Sequence, residues 1–249
     1  MKRIGFLGCG KIGGFMLQEI LKDGEAQAAF IQDPFYRGDG SVPVTGSADE
    51  TLLETADLVI ESATAGVLKE NLDVILKHCD LMVFSVTAFS DRDFYEHATE
   101  LAECYQRRIY LPHGAILGVD GIADGRELIR SVTIETVKNP ASLGRFDRER
   151  TVVYEGSCRG ACAAYPRNVN VHATVALAGI GFDKTVSRIV SDPAVSTNTH
   201  FIHIEGEGIR FDLDISSFAD GGVTGKYTPY SAVGSLRRIL GERRGFHFV

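Results

Sequence analysis

Three glycines near the start of the chain carry the first chemical signal. The stretch Gly8-Cys9-Gly10-Lys11-Ile12-Gly13 has the G-x-G-x-x-G spacing that holds a dinucleotide pyrophosphate. Gly8 permits a tight turn, Gly10 lets the backbone approach the phosphates, and Gly13 lets the next helix pack closely on the strand before it. The phosphates rest on unpaired N–H groups at the positive end of that helix, which brings Lys11 and Ile12 to the cofactor as well. Asp33 stands about 20 residues further on, where a carboxylate meets the adenosine ribose hydroxyls. It favours NAD, and Arg37 nearby leaves NADP open as the alternative.

A proton carrier is the second requirement of redox chemistry on such a cofactor. His200 follows the polar loop Ser196-Thr197-Asn198-Thr199 and opens a strand with apolar residues at Phe201, Ile202 and Ile204. A histidine where a loop becomes a strand can project into a cleft and titrate near neutrality. A surface or satisfied structural histidine is the competing reading. His203 lies three residues on, hence on the opposite face. His172 and His113 are lesser candidates, while His78, His97 and His247 are expected to be solvated. Asn168 and Asn170 bracket Val169 before an Ala-rich helix. Asn168 is a plausible N-cap, whereas Asn170, one residue into the helix, can reach a ligand such as the nicotinamide carboxamide.

The elements that must position these residues are legible from hydrophobic periodicity. Up to about residue 110, short apolar runs alternate with helical patterns, the signature of βαβ units. Strands are expected at Arg3–Leu7, Ala28–Gln32, Leu58–Glu61, Leu81–Val86 and Arg108–Leu111, and helices at Gly13–Lys22, Leu68–His78 and Arg92–Arg107. Asp91 is the expected cap of the last. Beyond Pro112 strands cluster: Arg130–Lys138, Thr151–Glu155, Thr185–Ser191, Thr199–Glu205 and Ile209–Ile215, with one helix at Val169–Leu177. The expected architecture is therefore α/β. A Rossmann-type parallel sheet (1–112) precedes an α+β substrate and dimerisation domain (113–225) with a partly antiparallel sheet. A last segment (226–249) holds a helix, Pro229–Leu240, that returns to the first domain.

Bulk properties narrow the class. The 249 residues carry a net charge of −7, against a nucleic-acid surface, and no apolar run approaches a membrane span. The N-terminus is already the first strand, so no cleaved leader is expected, and reduced cysteines in an odd number fit the cytoplasm. The five cysteines form no metal or disulfide framework. Cys158 and Cys162 would share a helix face, but no further zinc ligands are suitably spaced.

The run Tyr154-Glu155-Gly156-Ser157-Cys158-Arg159, followed by Tyr165-Pro166-Arg167-Asn168-Val169-Asn170-Val171-His172-Ala173-Thr174-Val175-Ala176-Leu177-Ala178-Gly179, closely resembles the NAD(P)-dependent L-aspartate dehydrogenase family. Ser191-Asp192-Pro193 leading to Asn198-Thr199-His200, Ser85-Val86-Thr87-Ala88, and Gly114-Ala115-Ile116-x-Gly118-x-Asp120 extend the likeness over nearly the whole chain. The resemblance implies reversible oxidative deamination of L-aspartate, through iminoaspartate, to oxaloacetate and ammonia. It implies His200 as the catalytic acid/base, Ala115 and Asn170 on the dinucleotide, and a homodimer built on the second domain's sheet. A dicarboxylate needs cationic partners, for which Arg167, Lys138 and Lys226 are candidates. Two segments depart from the family pattern: Gly225-Lys226-Tyr227-Thr228-Pro229-Tyr230-Ser231, and Ser62-Ala63-Thr64-Ala65-Gly66, whose Ala63 is expected at the cofactor. Both border the expected site. The same chemistry on another amino acid, or a low-turnover NAD-binding module, is therefore the alternative.

Overall fold

The computed structural model describes residues 1–47, 49–218 and 225–241. Met1–Pro112 and the segment from Pro229 form one compact unit, and His113–Thr228 form a second. His247 and the rest of the chain beyond residue 241 lie outside the described residues.

The first unit is a parallel sheet of order β3-β2-β1-β4-β5-β6. Its strands are β1 (Arg3–Leu7), β2 (Gln27–Gln32), β3 (Val44–Thr45), β4 (Leu58–Glu61), β5 (Asp80–Val83) and β6 (Ile109–Tyr110). Helices α1 (Lys11–Asp23), α2 (Glu50–Leu53), α3 (Ala65–His78) and α4 (Arg92–Cys104) connect them. Helix α1 buries Gly13, Met16, Leu17 and Ile20, one face at helical spacing, and stops where Gly24 turns left-handed at φ 63°. Asp91 caps α4, accepting from Phe94 N at 3.4 Å. The C-terminal helix α8 (Tyr227–Leu240) returns to this unit. Its Ala232, Val233 and Leu236 join Ile4, Phe6, Met16 and Ile60 in one core, and Arg237 pairs with Asp23 and Glu25.

Several boundaries differ from the sequence expectation for local physical reasons. The strand expected through Val86 ends at Val83, and Val86–Ser90 form a 3₁₀ turn. Ser85 donates from its N–H (3.0 Å) and hydroxyl (2.8 Å) to the Glu61 carboxylate, which draws the chain out of the ladder. Helix α4 ends at Cys104, not Arg107, because Gln106 adopts φ 53° and Arg107 N closes onto Ala102 O at 2.8 Å. His78, expected in solvent, has only 13% of its side chain exposed and lies 3.9 Å from Glu50.

The second unit is a mixed sheet of order β11-β10-β7-β9-β8. Its strands are β7 (Ile129–Lys138), β8 (Thr151–Ser157), β9 (Val186–Ser191), β10 (Thr197–Gly206) and β11 (Ile209–Phe218). Only the β7–β9 pair is parallel. Three helices accompany it: α5 (Val119–Asp124), α6 (Cys158–Ala164) and α7 (Asn170–Ala178). Strand β8 runs on to Ser157, whose hydroxyl caps α6 by accepting from Gly160 N at 3.2 Å. Cys158 and Cys162 are the buried face of that helix. Helix α7 buries His172, Ala173, Thr174, Val175, Ala176 and Ala178, so it is enclosed nearly all round.

Candidate active site

The dinucleotide end is built by three loops of the first unit. Gly8 sits at φ +86°, and a Cβ there would lie 2.9 Å from the Ala63 backbone. A Cβ on Gly13 would collide with the Gly8 carbonyl oxygen and lie 2.6 Å from Ser62 Oγ. Above Gly10 nothing approaches within 4 Å. The turn is thus closed toward the protein and open where a pyrophosphate would come. Helix α1 carries no side-chain cap and no acidic residue in its first turn, which leaves its positive end available to an anion. These features fit the pyrophosphate of a dinucleotide. Gly13→Ala is expected to cost about 1–3 kcal/mol through overpacking, measured as earlier thermal melting of the first unit and weaker dinucleotide binding.

Asp33, one residue beyond β2, is half-buried over this turn. Its Oδ2 accepts from Cys9 N and its Oδ1 from Phe35 N, both at 2.8 Å. The Arg37 guanidinium donates to the Pro34 and Tyr36 carbonyls at 3.0 Å. Lys11 and Ile12 occupy the first two positions of α1, and Ala63 directly follows β4 and Ser62. Ala63 N donates to Glu61 Oε1 at 2.8 Å. Glu61 therefore ties the loop after β4 to Ser85 after β5, a brace that the sequence reading missed. Burial raises its pKa, and the donors from Ser85 and Ala63 oppose the shift.

The second cluster lies on the covered face of the β10–β7 pair. In register, Ile204 opposes Val132, Ile202 opposes Ile134, and His200 opposes Thr136. Alternate residues point to one face, so Lys138 and Asn198 continue the same rows. The face is apolar at one end, where Val132, Ile134, Ile202 and Ile204 pack with Val175 and Ala178 of α7. It turns polar at the other.

His200 is the fourth residue of β10, not its opening residue, and is only 3% exposed. Its Nδ1 lies 2.8 Å from Thr136 Oγ1. Burial first, and the Lys138 charge second, push its pKa down to about 3. The imidazole is therefore neutral at physiological pH, as a base must be. His203 contrasts with it: on the exposed face of the same strand, it is pushed upward by its hydrogen bond with Asp212.

Lys138, the last residue of β7, is 4% exposed. Its Nζ donates to the Asn168 carbonyl at 3.1 Å, and no carboxylate among the described residues pairs with it. Burial lowers its pKa to about 8. Asn168 is not the expected cap: the α7 N-cap is Val169, without a side-chain bond. Asn168 Oδ1 is instead buried with no hydrogen-bond partner. Asn170 is the first residue of α7 and is half-buried, and its carbonyl accepts from Thr174 Oγ1 at 2.9 Å. Ala115 lies in the loop after β6, between Gly114 at φ 62° and the fully buried Ile116. Arg167 and Lys226 are exposed, so only Lys138 of the three candidate cations joins His200. Thr136 and His172 also belong to this cluster. Period-2 alternation along Val132, Ile134, Thr136 and Lys138 was the sequence signal that could have found Thr136, and His172 was already a lesser candidate.

A parallel dinucleotide sheet, an open glycine turn and a buried histidine–lysine pair on a second sheet define a nicotinamide-dependent oxidoreductase. Comparison with known proteins narrows the class. Residues 120–239 match the family described as Aspartate dehydrogenase, C-terminal, and residues 8–112 match Homoserine dehydrogenase, NAD binding domain. The chain is 33% identical to an L-aspartate dehydrogenase of Methanosarcina mazei over 96% of its length and 97% of that protein's. It is 37% identical to an L-aspartate dehydrogenase of Archaeoglobus fulgidus, covering 82% of each. The crystal structure of aspartate dehydrogenase from Thermotoga maritima superposes with a TM-score of 0.82 at 28% identity, covering both chains fully. The chain belongs to the L-aspartate dehydrogenase family and is an amino-acid dehydrogenase.

Proposed function

We propose that the chain oxidises L-aspartate to iminoaspartate, which water converts to oxaloacetate and ammonia, and that it also runs the reverse amination. The observation that carries this reading is a buried ammonium, Lys138, with no carboxylate partner among the described residues, beside a neutral buried histidine. An isolated buried charge is costly, and a substrate carboxylate offsets that cost. An α-amino acid also brings N–H donors for the unpartnered Asn168 Oδ1.

The bound nicotinamide supplies the hydride acceptor. His200 takes the proton from the substrate amine or the attacking water and returns it in the reverse direction. Substrate binding readies it for this. Burial is the larger cause of the low His200 pKa, but once a carboxylate neutralises Lys138 the secondary repulsion is relieved, and proton affinity rises. The glycine turn with Lys11, Ile12 and Ala63, together with Ala115 and Asn170, holds the dinucleotide. Exposed Phe201, Val186 and Val152, on the sheet face opposite to His200, support a homodimer.

NAD is the proposed cofactor over NADP. Asp33 disfavours a 2′-phosphate, and Arg37 is engaged with local carbonyls. Asp33→Ala is expected to weaken NAD about tenfold, the worth of a hydrogen bond to a charged group, and NADP less. Equal loss for both would confine Asp33 to bracing the Cys9 N–H. The function itself is tested by assaying purified protein with NAD and NADP against an amino-acid panel, then in reverse with keto acids and ammonia. L-Aspartate and oxaloacetate should lead. Preference for another amino acid, or no turnover of any, overturns the reading.

A further inference from the structure

A buried chain of side chains runs inward from His200. Thr136 Oγ1 lies 2.8 Å from His200 Nδ1 and 2.6 Å from His172 Nε2. His172 Nδ1 lies 3.0 Å from Ser187 Oγ. All four residues are buried, and His172 and Ser187 are completely so. The groups come from β10, β7, α7 and β9, so four elements converge to build the chain.

Proton counting restricts what this chain can do. A threonine hydroxyl has one proton, so it can donate to only one of the two imidazoles and must accept from the other. Both rings are driven neutral by burial and, secondarily, by nearby charge, with Lys138 acting on each. Two arrangements remain. Either both histidines carry their proton on Nδ1, or both carry it on Nε2. The tautomer of the outer ring is locked to that of the inner ring.

The reading of His200 as the acid/base selects between them. Its Nδ1 faces Thr136, so Nε2 is the nitrogen left to exchange a proton with substrate and must carry the lone pair. Ser187 Oγ then accepts from His172 Nδ1–H, 3.0 Å away. His172 Nε2 then accepts from the Thr136 hydroxyl, and Thr136 Oγ1 accepts from His200 Nδ1–H. We propose that Thr136 and His172 are positioning residues that hold His200 in its Nδ1–H tautomer, so that Nε2 presents its lone pair to the substrate. The inference rests on the reading of His200 as the acid/base. The chain also explains why a helix this apolar buries a histidine: His172 serves as the acceptor that Thr136 needs.

The test combines spectroscopy and kinetics. In ¹⁵N-histidine-labelled wild-type protein, long-range ¹H–¹⁵N correlations should show His200 and His172 both with protonated Nδ1 and unprotonated Nε2. A His200 protonated on Nε2 would overturn the proposal without any variant being made. Thr136→Val keeps the side-chain shape and removes the hydroxyl. It should lower kcat on the order of tenfold, the worth of one hydrogen bond, with KM within about twofold. Thr136→Ser should restore kcat. Full activity in Thr136→Val, or a loss that serine does not rescue, counts against the relay. His200→Ala is run beside them. If that variant keeps its turnover, the underlying acid/base reading has failed, a result distinct from failure of the relay.

Discussion

Replacing His200 with alanine lowers kcat by on the order of 10²–10⁴ and leaves NAD affinity essentially unchanged. The separation follows from where the residue sits. His200 lies in the middle of the second unit's sheet, whereas the glycine turn, Asp33 and the Glu61 brace that shape the dinucleotide end belong to the first. The loss should fall on kcat because the histidine acts on protons in flight, not on ground-state binding. Truncation also leaves a cavity beside Thr136 and removes that hydroxyl's partner, so a modest fall in stability accompanies it. His200→Gln, which keeps a polar group near Thr136, separates the two effects. It should recover stability and remain slow. Dinucleotide affinity from fluorescence titration, and kcat from initial rates with L-aspartate, check both statements. Turnover within about twofold of wild type would remove His200 from the chemistry.

The architecture was legible because each unit announces its period. Continuous apolar runs such as Ile4–Leu7 and Leu58–Ile60 belong to strands covered on both faces, and the glycine turn fixes where the first helix begins. What stayed hidden was long-range. Nothing in the sequence around Glu61 says that its carboxylate will meet Ser85, 24 residues on, and so end β5 early. Asn168 looked like a cap because caps are local, yet its carbonyl is taken by Lys138, 30 residues earlier. His200 was visible as a polar residue in an apolar strand. Its partner Thr136 was not, since it comes from another strand, and His172, on a helix, was a lesser candidate with no visible link to His200. Lys138 illustrates the limit best. As a residue type it resembled Arg167 and Lys226, and only strand pairing separates the buried cation from the two exposed ones.

That burial gives Lys138→Met an unusual pair of expected effects with opposite signs. The folded-state pKa of Lys138, about 8, lies below the ordinary lysine value of 10.5. The unfolded chain therefore binds more protons between these values, and stability rises with pH across that window. Below about pH 8 the full penalty for the buried charge is present, about 3 kcal/mol at 1.36 kcal/mol per pKa unit. Methionine fills similar volume without the charge, so the variant should unfold later at neutral pH and lose the upward trend of stability between pH 8 and 10.5. Aspartate recognition should move the other way. Losing one partner of a buried carboxylate pair costs about 3–5 kcal/mol, roughly 10²–10⁴ in kcat/KM. In the wild-type enzyme, kcat/KM for aspartate should fall above about pH 8 as the free enzyme's ammonium loses its proton. Saturating substrate holds that proton in place, so kcat should be far less affected. A lysine retained for structure alone, tied to the Asn168 carbonyl, would give the reverse pattern: lower stability in the methionine variant and an unchanged KM. Thermal melts at pH 7 and pH 10, set beside aspartate kinetics over the same range, decide between the two roles.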